Sequence, residues 1–281
     1  MMSIAARTLL LSVVLGCPFA LAEQGKDAKE LKPPTDDPPI GKAPILLMED
    51  FETTPAGEVP KGYTKQGAVA VVDDVAHSGK HSLRMDAAVN GPRRITTKSE
   101  VLAQLGGTHW GRLYFKVQLP APTCDSGVIH STLVSAVGKS PLHDDEIEFR
   151  PLDTILGTKG TYSYIYNVQP HTKRPEFAHG SASKWKFSDE WTLAEWYVDS
   201  VTQTYRLWVN SVEVKDVAFM KGPKNYEGSE IPSAMESITF GWWNYQQAGP
   251  KGFTAWIDDI ALSKERLGTR GIPPIKPAKK P

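Results

Sequence analysis

The sequence predicts an all-β fold: a two-sheet β-sandwich of the jelly-roll kind with a concave groove. Three observations predict it. Apolar residues recur with period 2 rather than 3.6. In Trp110–Leu119, Leu113, Phe115, Val117 and Leu119 share one face, and Arg112, Tyr114, Lys116 and Gln118 share the other. Turn formers, not helices, separate such runs, at Asp125–Gly127, Gly157–Gly160, Asp199–Thr202 and Gly249–Gly252. Ten or more strands with no βα alternation, in about 225 residues, favour a sandwich over an α/β sheet.

The first segment lies outside this fold. Arg7 precedes the apolar run LLLSVVLGCPFALA, and Ala20-Leu21-Ala22 fits a signal-peptidase site. Residues 1–22 therefore read as a signal peptide, with a mature chain from Glu23 and a secreted or periplasmic destination. The run 8–22 is short for a membrane span and is interrupted by Pro18, so no stable membrane insertion is expected. Residues 23–43 are charged and Pro-rich and read as a linker. One domain is expected over 44–270, followed by a disordered tail over 271–281.

Within the domain, strands are expected at Val128–Val137, Glu146–Arg150, Thr161–Val168, Leu193–Val198, Tyr205–Asn210, Ser237–Trp242 and Gly252–Leu262. The one helical piece is a short turn near Thr97–Gln104. Cleavage of the leader removes Cys17 and leaves Cys124 alone, so no disulfide is expected. Lys+Arg and Asp+Glu both number 32, which excludes a chain-wide basic footprint; no nucleic-acid partner is expected. No HExxH, GxSxG, P-loop or Rossmann glycine run occurs.

Several strands carry polar and aromatic residues in phase. In Glu146–Arg150, Ile147 and Phe149 point one way, and Glu146, Glu148 and Arg150 the other. Thr161–Asn167 puts Tyr162, Tyr164 and Tyr166 together. Phe240 and Trp242 share a face, as do Trp243 and Tyr245. Such residues suit the lining of a wet groove for sugars, where rings stack on pyranose faces and Arg pairs with carboxylates. A tyrosine stripe also fits core packing, and Glu148–Arg150 also fits a surface ion pair.

Ordered fragments across the domain resemble the fungal cellulose-induced secreted proteins and their glucuronan-lyase-like relatives. They are Glu49-Asp-Phe-Glu52, Ala76–Arg84, Gly127–Val134, Arg206-Leu-Trp-Val-Asn210, Ile238–Tyr245, Ala255–Leu262 and Arg266-Leu-Gly268. The resemblance implies a single-domain β-jelly roll linked to plant biomass degradation, acting on an acidic or cell-wall polysaccharide. The relatives have a histidine at the position of His130 and an arginine at that of Arg150. They have a histidine at the position of Glu148, a departure that removes a possible base here. A monomer without an organic cofactor is expected.

Asp50, Glu52, Asp258 and Asp259 lie near the first and last strands, which are often neighbours in a jelly roll. Ca²⁺ takes six to eight oxygens, from carboxylates and carbonyls. The resemblance implies a structural Ca²⁺ held by Glu52, Ser78, His81 and Asp258 or Asp259, with Ser78 and His81 giving mainly carbonyl oxygen.

Cleavage of a uronate polymer by β-elimination needs three roles. Arg150, helped by Asn167, suits neutralisation of the C6 carboxylate. His130 or an ionised tyrosine suits abstraction of the C5 proton. Tyr166, Tyr164 or Tyr245 suits protonation of the leaving oxygen. Glu148, Tyr162, Tyr164, Asn167 and Trp243 complete the expected substrate lining. Two other readings remain: a noncatalytic carbohydrate-binding protein using Trp243, Tyr245 and the tyrosine stripe, and a glycoside hydrolase using Glu146 and Glu148.

Overall fold

The computed structural model describes residues 37–247 and 252–272. In chain order its strands begin with β1 (Ile45–Glu49), β2 (Tyr63–Gln66), β3 (Val69–Val72), β4 (Ser82–Ala88) and β5 (Gly91–Thr97). After the helical turn α1 (Val101–Leu105) come β6 (Thr108–Val117), β7 (Val128–Lys139), β8 (Glu146–Gly157), β9 (Thr161–Pro170) and β10 (Phe177–Gly180). The rest are β11 (Trp185–Lys186), β12 (Thr192–Asp199), β13 (Thr204–Val209), β14 (Val212–Glu213), β15 (Phe219–Met220), β16 (Ser237–Asn244) and β17 (Phe253–Ser263).

They form two antiparallel sheets, one of nine strands and one of eight. The first runs β14-β13-β12-β6-β17-β4-β3, with β1 against β17 and β15 against β13. The second runs β10-β9-β8-β7-β16-β5-β2, with β11 against β9. Period-2 alternation is what lets each sheet turn an apolar face inward. From β6, Leu113, Phe115 and Val117 are buried in the core, as expected; Leu119 lies past the strand end and is exposed. They meet Ile147, Phe149, Phe240 and Trp242 from the second sheet, with Phe115 edge-on to Trp242 at 6.2 Å.

The outer face of the nine-stranded sheet is also covered. Arg112 is buried there, and its Nη1 donates to the carbonyls of Gly268 (2.8 Å) and Arg270 (2.6 Å). Glu195 accepts from Gly268 N at 2.6 Å. The segment expected to be linker contributes as well. Trp208 Nε1 donates to Asp37 Oδ1 (2.6 Å), Arg266 Nη1 to the Pro38 carbonyl (3.0 Å), and Gly41 N to the Arg266 carbonyl (2.8 Å). The packed unit thus begins before residue 44. A Pro-rich strip lacks core-forming residues, but its carbonyls and carboxylates can still answer buried donors. The expected signal peptide and residues 273–281 of the expected tail lie outside the described residues.

Candidate functional site

The outward face of the eight-stranded sheet carries a connected polar cluster. Alternation in β8 sends Ile147 and Phe149 into the core and Glu148 and Arg150 outward. The pairing of β8 with β9 then shifts register between Arg150 and Asp153. This irregularity, at Pro151 and Leu152, resets the phase, so that Asp153 faces the same way as Arg150. β7 shifts register at the same level, between Thr132 and Val134, and places His130 and Thr132 beside Asp153.

His130 Nε2 lies 2.5 Å from Asp153 Oδ2, and Thr132 Oγ1 donates to Asp153 Oδ1 at 3.0 Å. A histidine whose ring nitrogen is held by a buried carboxylate has a defined tautomer and orientation. Tyr245 covers the pair. Its ring lies 4.8 Å from the His130 ring, its hydroxyl is 3.2 Å from Thr132 Oγ1, and the Arg150 guanidinium sits 4.8 Å from its ring centre.

Arg150 is buried and well partnered. Its Nη1 donates to Asn167 Oδ1 (2.8 Å) and Glu176 Oε1 (3.1 Å), and its Nη2 to Glu148 Oε2 (3.1 Å). Burial alone would lower its pKa, but Asp153, Glu148, Tyr245 and Glu176 together hold it above the ordinary arginine value. Burial likewise pushes Glu148 up. Arg150, a hydrogen bond from Ser135 and Arg94 outweigh this and keep it below the usual carboxylate range. Burial drives the Tyr245 phenol upward, reinforced by Glu148 and Asp153 against the pull of Arg150, so it stays protonated at neutral pH.

Trp243 stacks on Tyr245 at 4.9 Å and is capped by Arg94, 4.2 Å above its ring. In β16, the register against β7 shifts between Phe240 and Trp243. Gly241 occupies that irregularity at φ 144°, where a Cβ would stand 2.4 Å from the Arg93 carbonyl. Alternation in β16 keeps Ile238, Phe240 and Trp242 in the core and presents Trp243 outward.

The tyrosine stripe is not on this face. Tyr162, Tyr164 and Tyr166 are all buried in the core, opposite Asn167. The Tyr166 hydroxyl donates to the Ser229 carbonyl at 2.7 Å and its ring packs 4.8 Å from Tyr205. Tyr162 and Tyr164 hydroxyls lie 3.2 Å apart. Burial holds the Tyr164 and Tyr166 phenols well above their ordinary value. This corrects the sequence expectation: Tyr166 and Tyr164 cannot reach a substrate as acids, and Tyr162 and Tyr164 cannot line its path. Even-numbered β9 residues point inward because Asn167 pairs with Arg150 and points out.

Of the sequence-derived set, the structure thus joins His130, Arg150, Glu148, Asn167, Trp243 and Tyr245. Sequence reading missed Asp153, Thr132, Arg94 and Glu176. Pro151 inside a strand was the available signal for the phase change that exposes Asp153.

A second carboxylate group sits on the nine-stranded sheet, where the turn between β3 and β4 meets β17. Glu52 Oε1 accepts from Lys80 N and His81 N, both at 2.7 Å. Asp258 Oδ2 accepts from His77 N (2.8 Å) and Ser78 N (3.3 Å), while Asp259 receives Ser78 Oγ (2.9 Å) and faces His77 Nδ1 (2.6 Å). Gly79, at φ 60°, allows the approach, since a Cβ there would meet the Glu52 carboxylate at 2.4 Å. Burial, then the neighbouring Asp259, pushes Asp258 up to about 8. Glu52, Ser78, His81 and Asp258 therefore do converge on one turn. Among the described residues, no three His, Cys, Asp or Glu side chains are grouped to hold an ion by themselves.

No family model matches the chain, and no curated protein matches it. Solved structures do. The endo-β-1,4-glucuronan lyase from the fungus Trichoderma reesei superposes with a TM-score of 0.52 at 12% identity, covering 83% of this chain and 100% of that chain. The cellulose-induced protein Cip1 superposes at 0.50 and 17% identity, covering 79% of this chain and 99% of that one. What this chain shares with both is the fold.

Proposed function

We propose that the protein is a secreted polysaccharide lyase that cleaves a uronate-containing, glucuronan-like polymer by β-elimination. The observation that carries this reading is His130, held by Asp153, packed against Tyr245 under the Arg150 guanidinium. His130, oriented by Asp153, takes the C5 proton, and Asp153 stabilises the imidazolium that forms. The C5 electron pair becomes the C4=C5 double bond as the C4–O bond breaks. Tyr245, protonated at neutral pH, delivers a proton to the leaving oxygen and is reprotonated by water. Arg150 and Asn167 offset the charge developing beside the C6 carboxylate.

The polar cluster argues against the hydrolase reading. A glycosidase acid needs a raised pKa. Glu148 is instead depressed by its cations, and Glu146 is exposed beside His171. One observation favours a noncatalytic carbohydrate binder as the second reading: the outward stack of Trp243 on Tyr245 provides a ring platform without any proton transfer.

We also assign a structural Ca²⁺ to the turn at 77–81. Support comes from the carboxylates of Glu52, Asp258 and Asp259, which all meet the same turn. Carbonyl oxygens of the turn would have to complete the ligand set alongside Glu52 and Asp258.

Incubation with a panel of uronate polymers tests the main reading. Growth of the ultraviolet absorbance of the unsaturated uronate is expected on at least one of them. Polymer binding without any unsaturated product would leave the binder.

A further inference from the structure

We propose that Arg150 and Asn167 form a carboxylate subsite whose resident occupant is the protein's own Glu176, and that a uronate carboxylate enters by displacing it. The identity of the incoming group rests on the lyase reading above.

Glu176 Oε1 accepts from both Arg150 Nη1 (3.1 Å) and Asn167 Nδ2 (2.7 Å). Asn167 Oδ1 in turn accepts from Arg150 Nη1 at 2.8 Å, which fixes guanidinium and amide relative to one another. A guanidinium and an amide donating to one carboxylate make a charge-assisted site that suits a uronate carboxylate.

Glu176 differs from the other anions around Arg150. Its side chain is 31% exposed, whereas that of Glu148 is 13% exposed and Asp153 is fully buried. Glu148 and Asp153 belong to β8, but Glu176 lies in the loop between β9 and β10. It can turn away without breaking a strand pairing. The loop itself is anchored two residues earlier. Arg174 donates to Glu230 Oε1 (2.9 Å) and Oε2 (3.0 Å), and to Asp145 Oδ1 (2.9 Å) and Oδ2 (3.1 Å). That clamp presents Glu176 to the subsite while leaving its carboxylate held by two exchangeable hydrogen bonds.

Charge points the same way. Arg150 already faces the carboxylates of Glu148, Asp153 and Glu176. A substrate carboxylate added to all three would be repelled, whereas one replacing Glu176 leaves the local charge unchanged. An internal occupant lowers apparent affinity by the fraction of time the subsite is open.

The test is an NMR titration of the mature protein, Glu176→Ala and Glu176→Gln with D-glucuronate and with its neutral methyl ester. Glu176→Ala should bind glucuronate about 10-fold more tightly than the unmodified protein, if the subsite is open about a tenth of the time. Glu176→Gln, an isostere that keeps the loop's shape, should gain less. Neither should change its affinity for the ester. Unchanged glucuronate affinity in both variants, or an equal gain for the ester, would overturn the proposal. The readout needs no turnover, so a gain in binding without cleavage of any polymer would sink the lyase reading alone. Cleavage by the unmodified protein with no gain in either variant would sink the subsite alone.

Discussion

Two carboxylate clusters among the described residues are held differently. At the turn 77–81, Glu52 and Asp258 are bound by backbone N–H groups. On the eight-stranded sheet, Glu148, Asp153 and Glu176 are bound by side chains of Arg150, His130, Thr132 and Asn167. A carboxylate tied to main-chain amides leaves only if the turn is dismantled. One tied to a guanidinium or an amide side chain can be exchanged for another carboxylate, and a histidine beside it can carry a proton. The first arrangement serves stability; the second is suited to chemistry.

Removing Arg150 breaks this contrast most severely. Arg150→Ala should lower kcat/KM on a uronate polymer by at least ~100-fold, because the developing charge loses its partner. It also removes a buried counter-charge from Glu148 and Asp153, which should destabilise the fold by about 3 kcal/mol. Steady-state kinetics and a denaturant melt on the same sample separate the two losses. Kinetics unchanged beside a lowered melt would make Arg150 purely structural.

The turn cluster should respond to metal and pH instead. Asp258 is held at about 8 in the fold against an ordinary 3.8. Such a group contributes stability fully below its ordinary value, and loses that contribution as pH rises through about 8. Ca²⁺ binding has to displace that proton. Added Ca²⁺ should therefore raise Tm more at about pH 8 than at about pH 5, by several degrees, in keeping with roughly 1–3 kcal/mol of ligand linkage. Chelation should reverse the gain. Identical melting with Ca²⁺ and with chelator at both pH values would remove the metal from the turn.

The finest discrimination comes from two tyrosines on opposite faces of one sheet. Tyr245→Phe keeps the ring against His130 and removes only the proton donor, so kcat should fall about 100-fold or more with little change in KM. Tyr166→Phe should leave kcat alone. It should cost about 1 kcal/mol of stability through the lost hydrogen bond to Ser229. A reversed pattern would return the acid role to Tyr166.

Much of this was legible in the residues. Period-2 alternation located β6, β8, β9 and β16, and it put Ile147 and Phe149, both buried, on the face opposite Glu148 and Arg150. Glu148 and Arg150 were rightly paired on one face. The tyrosine stripe of β9 was assigned to the wrong side. Alternation tells which residues share a face, but not which face is inside when both carry aromatic and polar groups.

The sequence by itself determined an all-β chain with a polar strand face, because side-chain period follows from strand geometry alone. Only the tertiary structure decided what that face contains. Register shifts in β7 and β8 change the phase of single strands, and they bring Asp153 to His130. Glu176 reaches Arg150 through a loop held by Arg174 against Asp145 and Glu230, residues distant in the chain. Contacts of that kind depend on how strands pair across the whole sheet, and no local window of sequence contains them.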